Sequence, residues 1–439
     1  MTVPTRPDGH EISWFGQPPG LTILFMTEMW EKFSYYGMRA LLVLYMTKAL
    51  AIPQARSSDI YGDYIMAAYL TPFLGAACAD AFLGRRRAVL FGGVIMAAGH
   101  FMMAVPSLFY WALGTIALGN GFFLPNLPSQ VRGLYEPHDR RLSSAYNVYY
   151  LGINLGAFLS ALVCPILADT LGWHWGFAAA GVGMTLGVVI YGLGGRYLPS
   201  DAVVRERARA AGATASPVTG AGVAGRLLLL AGIVAVVVIF RGAYEQQGNT
   251  INLWADANVE RPVLFGWTVP AAVFQSINPA VVILFTPVLV WWWLRRARVG
   301  REPGLIAKMA TGAAITASAF VMVAAAAWLA EQSGVKTSWI WLAAFLILMT
   351  IGELYLLPVG LALFGRLAPE RFGSLTIAIW FGAIALGSKF AGWLGERWGV
   401  TSHSGFFLLM AACALFSGAL LLVFRGPVRK ATDAAASGS

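Results

Sequence analysis

Apolar runs of about 20 residues, the length needed to cross a bilayer, follow one another along nearly this whole chain, separated by short Gly-, Pro- and Arg-rich breaks. Only 12% of the 439 residues are charged, and the mean hydropathy is +0.66. Soluble domains carry about 25% charged residues, so the chain reads as an all-α membrane protein. Its 16 Trp and 15 Tyr suit interfacial belts. Twelve spans are predicted: 20–50, 58–84, 86–105, 107–134, 141–168, 174–197, 223–256, 268–295, 304–331, 337–366, 371–397 and 404–425.

The distribution of Lys and Arg sets the expected orientation. With the N-terminus in the cytoplasm, 22 of the 31 Lys and Arg fall in cytoplasmic segments, as the positive-inside rule requires. The net charge of +10 therefore reflects topology rather than nucleic-acid binding. The one sizeable loop lies between the sixth and seventh spans. It divides the chain into a cytoplasmic N-terminus (1–19), an N-terminal six-helix bundle (20–197), a linker (198–222), a C-terminal six-helix bundle (223–425) and a cytoplasmic tail (426–439). Residues 1–20 are polar and Pro-rich, and no cleavable leader is expected. The expected place is the cell's inner (plasma) membrane, multi-pass, with both termini cytoplasmic. Cys78, Cys164 and Cys413 suggest no disulfide framework, and the five His show no metal-ligand spacing.

The first span carries an unusual load of charge. Glu28, Glu31, Lys32, Tyr35, Tyr36 and Arg39 fall within an arc of roughly 140° on one helix face. Four ionised residues cost roughly 10–14 kcal/mol in lipid, whereas the nine Leu, Ile, Phe and Val of this span return only about 3–5 kcal/mol. The stripe must face a bundle interior or a wet cavity. Between spans 2 and 3 lies Gly75-Ala-Ala-Cys-Ala-Asp80-Ala-Phe-Leu-Gly84-Arg85-Arg86-Arg87, an acid and a basic turn able to latch helix ends.

That loop resembles the signature of the major facilitator superfamily. Glu28-x-x-Glu31-Lys32-Phe33-x-Tyr35-Tyr36-Gly37 resembles the helix-1 motif of the proton-dependent oligopeptide transporter family, and Tyr149-Tyr150-Leu-Gly-Ile153-Asn154-Leu-Gly156 resembles its helix-5 motif. Tyr244-Glu245-Gln246-Gln247-Gly248, Phe274-Gln275-Ser276-Ile277-Asn278-Pro279 and Gly352-Glu353-Leu354 fit further stretches in order. The resemblance implies the major facilitator fold: twelve transmembrane helices in two pseudo-symmetric six-helix bundles.

It also implies roles. Lys32, Tyr35 and Tyr36 would meet a peptide's carboxylate end, and Asn278 and Glu353 its amino end. Arg39 and Glu245 would form an outer gate, and Trp380 would line the cavity. Arg39, Tyr150 and Asn154 complete the expected substrate-binding set. Gly75, Asp80, Gly84, Arg85 and Arg87 form the loop motif. Glu28, Glu31, Lys32 and Glu245 would couple protons, and Glu245→Gln should abolish uptake driven by a proton gradient. No cofactor or metal is expected beyond the coupling proton, and no enzymatic activity. The expected partners are a di- or tripeptide and the lipid bilayer, with the protein a monomer.

A site accepting many short peptides must grip their shared, oppositely charged ends, so it needs a cation on one wall and an anion on the other. The alternatives are a same-fold transporter of another anionic or zwitterionic solute, such as nitrate or a drug, and a drug/proton antiporter.

Two departures from the family pattern stand out. Leu124 occupies the position before Pro125-Asn126 where the family usually has Lys, and Lys32 replaces the commoner Arg, losing its planar fork. The linker is too short for the two extra helices common in bacterial members. Other polar residues are read blandly. His100 is expected to be buried and hydrogen-bonded, Lys389 to snorkel near the outer end, and Asp63 to be interfacial. Arg241, one turn before Glu245, is open between structural and functional use.

Overall fold

A computed structural model describes residues 16–136, 139, 141–202, 220–264, 266–367 and 373–437. Most of the expected N-terminus (1–15), most of the linker (203–219) and the last two residues of the tail lie outside the described residues. The structure is nearly all helical, with its helices within a few residues of the apolar runs.

In chain order they are α1 (Pro19–Lys48), α2 (Gln54–Leu83), α3 (Arg85–Met102), α4 (Pro106–Leu134, interrupted at 124–127), α5 (Arg141–Thr170) and α6 (Trp173–Tyr197). There follow α7 (Leu228–Asn258), α8 (Ala271–Arg298), α9 (Leu305–Ser333), α10 (Trp339–Leu367), α11 (Gly373–Gly395), α12 (His403–Val423) and a tail helix α13 (Arg425–Ser437). Among the described residues nine of these are long and apolar enough to cross a membrane by the strictest reading: α2, α4 to α10 and α12. Leu74, Phe82, Trp111, Leu193 and Leu284 are each more than two-thirds exposed on helix surfaces. Such apolar faces fit lipid rather than water.

The described strands are two-residue pieces in the loops flanking α7 to α10: Val259–Glu260 runs parallel to Thr337–Ser338, and Val263–Leu264 pairs antiparallel with Trp267–Thr268.

The chain divides into two compact units, residues 1–41 with 70–215 and residues 42–69 with 216–439. The first has a core of Leu24, Val89, Met96, Phe123, Met184 and Tyr191. There α5 approaches α1 closely because Gly152 and Gly156 carry no side chain: a Cβ on Gly156 would overlap the Met29 carbonyl, and one on Gly152 would sit 3.0 Å from the Phe25 carbonyl oxygen.

The second unit has a larger aromatic core, including Phe240, Trp254, Phe320, Phe345, Phe364 and Phe407. It also holds the C-terminal end of α1 and the first half of α2, for which the unit itself supplies the reason. Lys48 pairs with Asp256 at 2.5 Å, Gln54 donates to the Gly395 carbonyl at 2.9 Å, and the Gly62 and Gly392 backbones touch. Lys389 on α11 has acidic partners that the sequence did not disclose. Its Nζ lies 2.5 Å from Asp59 and 2.6 Å from Asp63, so two acids on one face of α2 hold it.

Candidate functional site

Buried polar groups collect in each unit. In the first, Glu28, Glu31 and Lys32 are all at most 8% exposed. Lys32 Nζ lies 2.7 Å from Glu31 Oε2 and 3.4 Å from Glu28 Oε1. One cation thus serves two carboxylates, leaving a buried group of net charge −1 when all three are ionised. A third partner comes from α5, where the Tyr149 hydroxyl donates to Glu28 Oε2 at 2.6 Å. The glycine contact between α5 and α1 brings that hydroxyl within reach. Lys32 also lies 5.9 Å from the centre of the Tyr35 ring, which meets Tyr36 edge to face. Arg39 follows one turn later on α1.

Tyr150 and Asn154, expected at the site, lie on the same helix. Asn154 donates to the Tyr150 carbonyl at 3.0 Å, and the Tyr150 side chain is 43% exposed. Tyr149, given no role in the sequence reading, supplies the bond to Glu28. Its only sequence signal was its place in the quoted motif.

The loop motif is built around a turn at Gly84, whose φ of +73° favours glycine. Gly75 packs on the backbone of Gly121. Asp80 is two-thirds exposed and stands 3.8 Å from Arg85, a weak latch. Arg87 is exposed. A stronger partner is Asp201, just past α6, whose Oδ1 accepts the Arg85 backbone N–H at 3.1 Å at the start of α3. His100 on α3 is fully buried, but neither ring nitrogen has a hydrogen-bond partner among the described residues, contrary to expectation.

In the second unit α7, α8 and α10 contribute. Asn278 donates to Glu353 Oε2 at 2.7 Å and to Thr350 Oγ1 at 3.1 Å. The Tyr244 hydroxyl also donates to Glu353. Arg241 pairs with Glu245 one turn along α7, and its guanidinium lies 5.0 Å from the centre of the Tyr244 ring. The structure therefore unites Asn278 and Glu353, as expected, and adds Thr350, Tyr244 and Arg241. Trp380 is 3% exposed, packed edge to face on Phe364 and against Gly360. A buried carboxylate supplied with two neutral donors is suited to receive an ammonium group, whose positive charge those donors cannot provide.

These buried charges belong to a membrane transporter. The chain belongs to the POT family, whose profile (PTR2) matches residues 86–211 and 214–396. It is 30% identical to the peptide transporter YePEPT of Yersinia enterocolitica over 98% of both chains. It is also 32% identical to dipeptide and tripeptide permease A of Chromobacterium violaceum, over 86% of this chain and 85% of that one. A crystal structure of peptide transporter POT in complex with sulfate superposes with a TM-score of 0.86 at 28% identity, covering 98% of this chain and 97% of that one. A POT family transporter in complex with a thioalcohol-conjugated peptide gives 0.82 at 27% identity, covering 94% and 98%.

Proposed function

We propose that this chain is a proton-coupled symporter that imports di- and tripeptides by alternating access. Twelve transmembrane helices in two six-helix bundles would cross the inner membrane, with both termini cytoplasmic and the protein a monomer. The observation that carries the reading is the chemical division between the units. One holds a buried cation with two tyrosines, Lys32, Tyr35 and Tyr36, and the other a buried acid with an amide and a hydroxyl, Glu353, Asn278 and Tyr244. A zwitterionic peptide offers the matching charge to each, its carboxylate to the first and its ammonium to the second. Peptide transport by the relatives supports the same assignment. A simple anion such as nitrate brings nothing to satisfy Glu353, and a cationic drug brings nothing to satisfy Lys32.

Proton handling is assigned to the buried carboxylates, Glu28 and Glu31 around Lys32 in one unit and Glu245 and Glu353 in the other. A buried carboxylate takes up a proton when its cation leaves and releases it when the cation returns. No resident cofactor enters this scheme.

Purified protein in liposomes tests it. Labelled dialanine should accumulate under an inward proton gradient and stop accumulating when an uncoupler is added, while labelled nitrate and a cationic dye stay outside. Accumulation of nitrate or expulsion of the dye in place of dialanine uptake would overturn the assignment.

A further inference from the structure

The join between α8 and α9 carries a concentration of positive charge for which peptide transport has no use. Arg295, Arg296, Arg298 and Arg301 fall within seven residues, and all four are exposed. α8 is 28 residues long, from Ala271 to Arg298. At about 1.5 Å per residue it runs roughly 42 Å, close to the roughly 40–45 Å of a bilayer counted with its headgroups. The arginines therefore stand at headgroup depth.

A basic loop needs no ligand in itself, since positive charge sets topology and complements a helix C-terminus. This one is built further than either requires. Its backbone is fixed: Gly300 has a φ of +65°, its N–H donates to the Ala297 carbonyl at 3.0 Å, and the Arg301 N–H reaches back to the Arg296 carbonyl at 2.9 Å. That pair of bonds is the glycine cap of a helix end. Its acid is engaged elsewhere. Glu302, the one acid between Trp291 and Lys308, accepts from the buried Lys308 ammonium at 2.6 Å, and that ammonium lies 4.0 Å from the centre of the Trp293 ring. Among the described residues none of the four arginines pairs with a carboxylate.

The helix face leading to the arginines is apolar. Leu284, Val288, Trp291 and Leu294 are each more than half exposed. At about 100° per residue they share an arc of roughly 120° with Arg295 and Arg298. The Arg295 guanidinium lies 5.6 Å from the centre of the Trp291 ring, and that of Arg296 lies 5.1 Å from Trp292. An apolar strip running up to a cluster of cations matches, in order along the bilayer normal, a lipid with acyl chains and an anionic headgroup. Guanidinium groups also suit phosphate oxygens by their forked geometry.

We propose that the end of α8 binds an anionic phospholipid of the surrounding bilayer. Arg295 and Arg298 hold its phosphate, with Arg296 and Arg301 beside them, and an acyl chain lies along Trp291, Val288 and Leu284. Such binding requires only that α8 spans a membrane, whatever solute the protein carries.

Purified full-length protein in neutral detergent is titrated with phosphatidylglycerol or with phosphatidylcholine of the same acyl chains. Retained lipid is counted by native mass spectrometry, and the thermal midpoint is followed in parallel. The first phosphatidylglycerol should bind about tenfold or more tightly than phosphatidylcholine at low salt, and the preference should shrink at high salt. Changing all four arginines to Gln should leave a preference of about twofold or less. The milder Arg295→Gln with Arg298→Gln should cut it at least about threefold, and decides the matter if the fourfold change does not fold. Arg425→Gln, Arg429→Gln and Lys430→Gln together, which remove three charges from α13, should keep the preference. Equal binding of the two lipids by wild-type protein, or an undiminished preference in the arginine variants, would overturn the site. So would an equal loss in the α13 variant, which would reduce the effect to overall charge. Glycerophosphate without acyl chains binding as tightly as phosphatidylglycerol would show a phosphate site in place of a lipid site.

Discussion

Tyr149 of α5 donates its hydroxyl to the Glu28 carboxylate of α1 at 2.6 Å, a bond between residues 121 positions apart that ties the charged stripe to a neighbouring helix. A hydrogen bond to a buried charged group contributes about 1.5–3 kcal/mol. Tyr149→Phe should lower the midpoint of thermal unfolding and reduce gradient-driven dialanine uptake, whereas Tyr150→Phe, changing a half-exposed neighbour, should do less to the midpoint. Melting curves and uptake on the two variants, at matched expression, check the order.

Asn278 bridges Glu353 and Thr350 in the C-terminal unit. Asn278→Ala removes a donor from the carboxylate that is assigned to the peptide's amino end. The expected result is a KM for dialanine raised by about tenfold, equivalent to about one hydrogen bond to a charged group. A dipeptide with its amino end acetylated, expected to bind weakly to the wild type, should lose little more. Competition assays with the two peptides measure the difference.

Asp201 accepts the first backbone N–H of α3, while Asp80 meets Arg85 only at 3.8 Å from an exposed position. Loss of a capping carboxylate costs about 0.5–2 kcal/mol, and an exposed pair contributes less than about 1 kcal/mol. Asp201→Ala should therefore lower thermal stability more than Asp80→Ala. Equal melting points would show that Asp201 does not anchor this turn.

Lys389 bridges Asp59 and Asp63, and Arg56 also pairs with Asp59. Lys389→Met leaves Asp63 without its lysine and Asp59 with Arg56 alone, whereas Asp63→Asn leaves Asp59 paired with both. The lysine variant should be the less stable, by up to about 1 kcal/mol given its partial exposure. The double variant Lys389→Met with Asp63→Asn should recover part of the loss. Thermal melts of the three check the ranking.

The sequence carried the local physics well. Helix positions follow from apolar runs, because in lipid every backbone group must be satisfied within its own helix. The charged face of α1 follows from helical period alone, and so did the pairing of Arg241 with Glu245 as an open possibility. The partners were hidden wherever they came from far along the chain. Tyr149 is 121 residues from Glu28, Asp201 is 116 from Arg85, and Lys389 is 330 from Asp59. Lys389 was read as snorkelling for that reason: an isolated lysine near a helix end has a good solution in snorkelling, and only the fold shows Asp59 and Asp63 beside it. Thr350 carried no signal, since a threonine in an apolar helix ordinarily bonds to its own backbone, as this one also does to Leu346. His100 went the other way, its burial foreseen but not the lack of a hydrogen-bond partner among the described residues.

The bare backbone of Gly156 carries no functional group of its own, yet the reach of the Tyr149 hydroxyl depends on it. A single methyl added there would wedge two helices apart and lengthen a charged contact elsewhere. In a mutational scan of this transporter, some of the most damaging positions should therefore be the ones with the least chemistry of their own.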